Sequence, residues 1–243
     1  MPDPIEVHYW PTPNGHKVTI ALEEMGLPYQ IVPVNIGAGD QFKPQFLAIS
    51  PNNRMPAIVD PDGPGGRPIS VFESGAILQY LGRKTGRFYP ADERARVAVD
   101  QWLFWQMAGL GPMAGQAHHF RGYAPMLTPD QRHLAYGVNR YTNETHRLYG
   151  VLNHRLEGRD WLADDYSIAD MAAWPWTRSW TLQGILIEEF PNVKDWQDRM
   201  EARGPVKVAI ERGETVRGPA AGLQDAGREA ERARALLFNQ RAR

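Results

Sequence analysis

Hydrophobic and polar positions recur with two different periods along this chain, and the change of period divides it. Ile5-Glu6-Val7-His8-Tyr9 alternates by twos, the signature of a half-buried strand. A turn, Pro11-Thr12-Pro13-Asn14-Gly15, leads into Lys17 to Met25, whose apolar positions follow a helical period and stop at Gly26 and Pro28. Tyr29 to Val34 reads as a second strand, giving a strand-helix-strand unit with a parallel pair. Met55 to Asp60 predicts a third strand with proline at its entrance, and Ile69 to Phe72 a fourth after a Gly/Pro loop. Glu73-Ser74-Gly75 then opens a helix to about Gly86, with Ile77, Leu78 and Leu81 as its buried stripe.

This order, β-α-β-loop-β-β-α, is that of a small thioredoxin-like α/β domain, assigned to residues 1–87 with a linker at 88–92. From there the period is helical throughout, which predicts an all-α helical-bundle domain over residues 93–215. Its first helix is expected from Asp92 to Leu110, broken at Gly111-Pro112. Thr128-Pro129-Asp130-Gln131 reads as a capping box that starts a long helix to Glu157. Ser167 and Asp170 form a second box, opening a helix so apolar on all sides (Met171, Ala172, Ala173, Trp174, Trp176) that it predicts the centre of the bundle. Pro191 to Arg203 reads as an amphipathic helix and Val206 to Glu211 as a short last one. Residues 216–243 form an Ala/Arg/Glu-rich tail.

Composition narrows the function. The 243 residues carry a net charge of -1, so no long-range pull toward nucleic acid or anionic lipid is expected. No apolar run is long enough to span a membrane, and the N-terminus lacks the basic and apolar regions of a signal peptide, which predicts a cytoplasmic protein. Cysteine is absent, which excludes disulfide scaffolds, Cys-x-x-Cys redox motifs and thiolate metal sites. His118-His119 lacks a partner at ligand spacing, so no metal is expected.

The turn at residues 11–17 is the chemically loaded stretch. Thr12 is a good helix N-cap and Pro13 suits the first helical position. Such a turn presents unpaired N–H groups and the positive end of the helix dipole, so an anion is stabilised there and a thiol loses its proton more easily. The thiol must be supplied by a ligand, because the chain has none.

The motifs together resemble the glutathione transferase family, and most closely its bacterial Nu class, whose members act as glutathione-dependent disulfide reductases. The resemblance rests on Pro11-Thr-Pro-Asn-Gly-His-Lys17, Ile49-Ser-Pro-Asn-Asn-Arg-Met-Pro-Ala-Ile58 and Phe72-Glu-Ser-Gly-Ala-Ile77. Further along it rests on Gln101-Trp-Leu-Phe-Trp105, Gly109-Leu-Gly-Pro112, His118-His119-Phe120 and Tyr166-Ser-Ile-Ala-Asp170. It implies a homodimer with glutathione as co-substrate, bound in the crevice between the two domains. Glu73 and Ser74 would take the ammonium and carboxylate of the γ-glutamyl end. Met55, before Pro56, would pair by its backbone with the cysteinyl part. Gln41 matches a class ligand for the glycyl carboxylate, Lys43 extends that assignment, and Arg140 matches an arginine used against a glutathione carboxylate.

Thr12 and Asn14 are the catalytic candidates. Neither titrates near neutrality, but each can donate a hydrogen bond to a thiolate sulfur and so lower the thiol pKa. The alternative makes Thr12 a cap only. Tyr9 shares a face with Ile5 and Val7 and is expected to point into the core rather than at a thiol. The function expected is reduction of small or exposed disulfides by bound glutathione thiolate. The rival readings are conjugation of small electrophiles by the same thiolate, and a non-catalytic regulatory module of the same fold.

Overall fold

A computed structural model describes residues 3–127 and 131–217. The chain divides into two compact units: one runs to Ile77 and resumes at Lys207, the other is Leu78–Val206. The expected capping box at residues 128–131 and the tail from residue 218 lie outside the described residues, Gln131 itself excepted.

In the first unit, β1 (Ile5–Tyr9), α1 (Pro13–Met25) and β2 (Tyr29–Pro33) form the strand-helix-strand unit, with β1 and β2 parallel. A short turn of helix, α2 (Pro44–Leu47), precedes β3 (Ala57–Asp60) and β4 (Ile69–Phe72), and α3 (Ser74–Thr85) follows. The sheet order is β2-β1-β3-β4, with β3 antiparallel to both its neighbours. Register explains the two cores. Val7 pairs with Ile58 on one face, which β1 shares with the buried Ile5 and Tyr9. His8 pairs with Ala57 on the other, where Ala57 packs with Val34, Phe46 and Met55. Strand β3 begins at Ala57, two residues later than the sequence pattern suggests, because Pro56 has no N–H to give to the ladder.

In the second unit, α4 (Glu93–Trp105) does not end at Gly111-Pro112. A π turn (Gln106–Leu110) carries it into α5 (Gly111–His118). Proline removes the N–H of an ordinary turn and clashes with the carbonyl four residues back, and the wider turn relieves both. Gly111 also leaves room for its neighbours: a Cβ there would sit 2.7 Å from the Gln106 amide nitrogen and 3.3 Å from the Trp176 indole nitrogen. A second π turn (His119–Tyr123) follows, then the long α6 (Gln131–Arg155).

The apolar helix is the buried centre of this unit, as its composition requires. In α7 (Ile168–Thr177) the residues from Ile168 to Trp174 are almost wholly buried. The Ser167/Asp170 capping box is complete. Asp170 does more than cap: it accepts from the Leu162 N–H at 3.0 Å and the Trp196 indole N–H at 3.0 Å. Burial pushes its carboxyl up to about 6 against the pull of those bonds. A short α8 (Trp180–Gln183) and α9 (Pro191–Ala202) complete the unit.

The last helix, α10 (Gly204–Arg217), is far longer than the six residues its sequence pattern suggests. It is extended by packing. A Cβ at Gly213 would lie 2.5 Å from the Tyr9 hydroxyl and 2.6 Å from the His16 ring, so glycine is what lets the helix lie against the start of α1.

Candidate active site

The first turn of α1 is built as the sequence requires. Thr12, at φ -121° and ψ 163°, is the N-cap, and its Oγ1 accepts from the Gly15 N–H at 3.3 Å. Gly15 permits the tight entry, since a Cβ there would lie 2.3 Å from the Trp10 carbonyl oxygen. The Thr12 hydroxyl then donates to the Met55 sulfur at 3.5 Å, joining the α1 start to the segment before β3. Asn14 lies half-buried in the same first turn. Tyr9 is fully buried, its hydroxyl 3.1 Å from His16 Nδ1, and burial holds its phenol well above the usual range. It faces the core and stays protonated.

A second cluster forms at the junction of β4 and α3. Glu73 adopts a left-handed φ of 68°, which turns the chain sharply into the helix. Asn52 Nδ2 donates to its carboxylate at 3.2 Å. Ser74, 4% exposed, begins α3. Lys17 Nζ donates to Ser74 Oγ at 3.4 Å. That contact links the two clusters, because Lys17 stands on α1 one turn beyond Asn14.

Lys17 is 1% exposed, and burial pushes its ammonium down to about 7 while the Glu73 charge works the other way. The sequence reading assigned it no role. The signal available was its place as the last residue of Pro11-Thr-Pro-Asn-Gly-His-Lys17, one of the motifs on which the resemblance rests.

The other expected ligands are placed differently. Gln41 is 2% exposed, and its amide donates to the Ile36 carbonyl at 3.2 Å. Its Oε1 is buried without a hydrogen-bond partner among the described residues. Lys43 is exposed and paired with Asp40 at 2.7 Å. Met55 is buried, and the Met55-Pro56 bond is cis. Arg140 belongs to the other unit, exposed on α6 and 4.0 Å from Glu144. In that unit His118 stacks on Tyr123 with ring centres 5.0 Å apart, and burial lowers its pKa. Among the described residues no group of three or more His, Cys, Asp or Glu could hold a metal ion. No described helix is long and apolar enough to cross a membrane.

Residues 12–84 match the model of the glutathione S-transferase N-terminal domain, and residues 126–204 that of the C-terminal domain. The disulfide-bond oxidoreductase YfcG of Escherichia coli (strain K12) is 53% identical over 208 residues, which span 85% of this chain and 94% of that protein. This chain belongs to the glutathione S-transferase family. Solved structures agree on the architecture of this family member. A glutathione transferase from Pseudomonas fluorescens pf-5 with two glutathione bound superposes with a TM-score of 0.80 at 44% identity, covering 87% of this chain and 94% of that one. One from Pseudomonas putida, with one glutathione disulfide bound per subunit, gives 0.79 at 42% identity, covering 86% and 91%.

Proposed function

We propose that this glutathione S-transferase family member is a glutathione-dependent disulfide-bond reductase, cytoplasmic and homodimeric, with Thr12 and Asn14 as the residues that hold the reacting sulfur as its thiolate. The observation that carries the reading is the Thr12 hydroxyl, which caps α1 with its oxygen while its proton points at a sulfur, that of Met55. A thiolate is a stronger acceptor than a thioether, so a ligand sulfur brought to the same place takes that donor over. The positive end of the thirteen-residue α1 favours the anion as well. Its relative YfcG is named a disulfide-bond oxidoreductase, which supports the reaction class.

The donor set suits the tripeptide. Glu73 presents a carboxylate for the ligand ammonium, and Ser74 with the first N–H groups of α3 presents donors for the adjacent carboxylate. In this reading the backbone of Met55 is the edge for the cysteinyl unit, Gln41 and Lys43 are the partners of the glycyl carboxylate, and Arg140 is a further carboxylate partner for its own subunit's ligand or a neighbour's. Glutathione supplies the chemistry: one thiolate attacks a disulfide to give a mixed disulfide and release a thiolate, and a second resolves it to glutathione disulfide and the other thiol. The chain's residues lower the thiol pKa and orient it; no cysteine of the protein takes part. The homodimer is proposed from family membership.

The test is retention on immobilised glutathione, followed by parallel assays of disulfide reduction and aryl-halide conjugation. Faster turnover of a small disulfide is expected. Conjugation without disulfide reduction would overturn the reading.

A further inference from the structure

Lysine side chains ordinarily carry their ammonium to water at the end of a long apolar stem. Lys17 does not: it is 1% exposed, and its Nζ ends 3.4 Å from Ser74 Oγ at the first residue of α3. An ammonium has three donors and no acceptor, so in this contact the serine oxygen is the acceptor. A serine oxygen engaged in that way directs its own proton toward a further acceptor.

The residue before Ser74 carries the opposite charge. Glu73 is exposed, turned by its left-handed φ of 68° and held by Asn52. A buried cation behind the serine and an accessible carboxylate beside it form a pair with the polarity needed by a free α-amino acid group, which has one ammonium and one carboxylate on a single carbon. Burial depresses the lysine, so retaining the charge there works against folding, and a ligand carboxylate offsets that cost.

We infer that Lys17 is a further glutathione-binding residue, a cationic anchor beneath Ser74 that positions the serine hydroxyl and provides the counter-charge for the α-carboxylate of the γ-glutamyl unit. The inference rests on glutathione being the ligand, but not on which reaction follows. Lys17 acts on the α-carboxylate, whereas Thr12 and Asn14 act on the sulfur.

The experiment uses S-methylglutathione, which has no thiol, and the same compound amidated at the γ-glutamyl α-carboxylate, both titrated calorimetrically into the full chain and its Lys17→Met and Lys17→Gln variants. Binding of S-methylglutathione to the wild type tests the glutathione reading by itself. Given that binding, the wild type is expected to prefer the carboxylate over the amide by about 10-fold or more, as a charge-assisted contact in a low-dielectric site should. Both variants are expected to lose most of that preference. Lys17→Gln keeps a donor to Ser74 and removes the charge, so it separates the two roles. Thermal midpoints of Lys17→Met equal to or above the wild type would identify a binding role, since a side chain kept only for structure would lower them when removed. A variant that keeps the wild-type preference for the carboxylate would overturn the inference and leave the glutathione reading intact.

Discussion

The Arg217 guanidinium donates to the carbonyl oxygen of Pro11 at 2.8 Å, across 206 residues of chain. Pro11 precedes the Thr12 cap, so the end of α10 grips the turn from which the proposed sulfur donor projects. Two further contacts fasten the same helix: Arg212 Nε lies 3.0 Å from Glu23 Oε1, and Gly213 packs on Tyr9 and His16. Arg217→Ala removes a charged donor from a backbone acceptor, an interaction of about 1.5–3 kcal/mol when well formed. Because this arginine is exposed, the expected outcome is a loss of turnover of about 3–10-fold with a small change in thermal midpoint. Steady-state kinetics alongside thermal unfolding check it.

Gly213→Ala tests the packing from the other side. Its Cβ would meet the Tyr9 hydroxyl at 2.5 Å and the His16 ring at 2.6 Å. Overpacking of this kind costs about 1–3 kcal/mol, so the denaturation midpoint should fall without a change in m-value.

At the sulfur, Asn14→Ala is expected to lower disulfide turnover at least about 10-fold, with a smaller loss of glutathione affinity, one unit of thiol pKa being about 1.4 kcal/mol. Thr12→Ser should retain both the cap and the donor, whereas Thr12→Ala should lose both, including about 1 kcal/mol of stability from the cap. The acid limb of the pH–rate profile is the measurement. Unchanged turnover across neutral pH in Asn14→Ala would remove Asn14 from the catalytic set.

Lys17 gives a pH signature in stability. Its ammonium is depressed in the folded chain to about 7 from the usual lysine range. Unfolded chain therefore binds more protons than folded chain between those values, and stability rises with pH across that window. Its contribution is full above the unfolded pKa and is lost as pH falls through about 7. Lys17→Met should remove this slope and be the more stable protein at neutral pH. Chemical denaturation of both proteins from pH 7 to 10 shows whether the difference narrows as pH rises.

Asp170→Ala should be severe. It strands the buried Trp196 indole N–H and the Leu162 and Ser167 backbone N–H groups that the carboxylate now accepts. Buried donors without acceptors cost about 1–3 kcal/mol each, so a loss of several kcal/mol or failure to fold is expected. Replacement by Asn, which keeps an acceptor oxygen, should fall between the two proteins in thermal unfolding.

Much of this was readable from local pattern. The period-two run at Ile5–Tyr9 and the short run at Ile69–Phe72 after its Gly/Pro loop became strands, and the Thr12 and Ser167 caps formed where side-chain chemistry required. Local rules failed where a distant contact overrode them. Gly111-Pro112 reads as a helix break, yet the π turn and the close approach of Gln106 and Trp176 carry the helix through. The local pattern ends the last helix at Glu211, yet α10 continues to Arg217, with Gly213 allowing its close approach to Tyr9 and His16.

The sequence by itself determined most of the elements and their order, the family motifs and the absence of a protein thiol, because period, capping and composition act over a few residues and need no knowledge of the fold. Only the tertiary structure decided that Thr12 faces the Met55 sulfur, that Lys17 is buried against Ser74 and that Arg217 holds Pro11. Those partners are 43, 57 and 206 residues apart. The burial that sets the lysine's charge comes from tertiary packing, a property no short window of the chain contains.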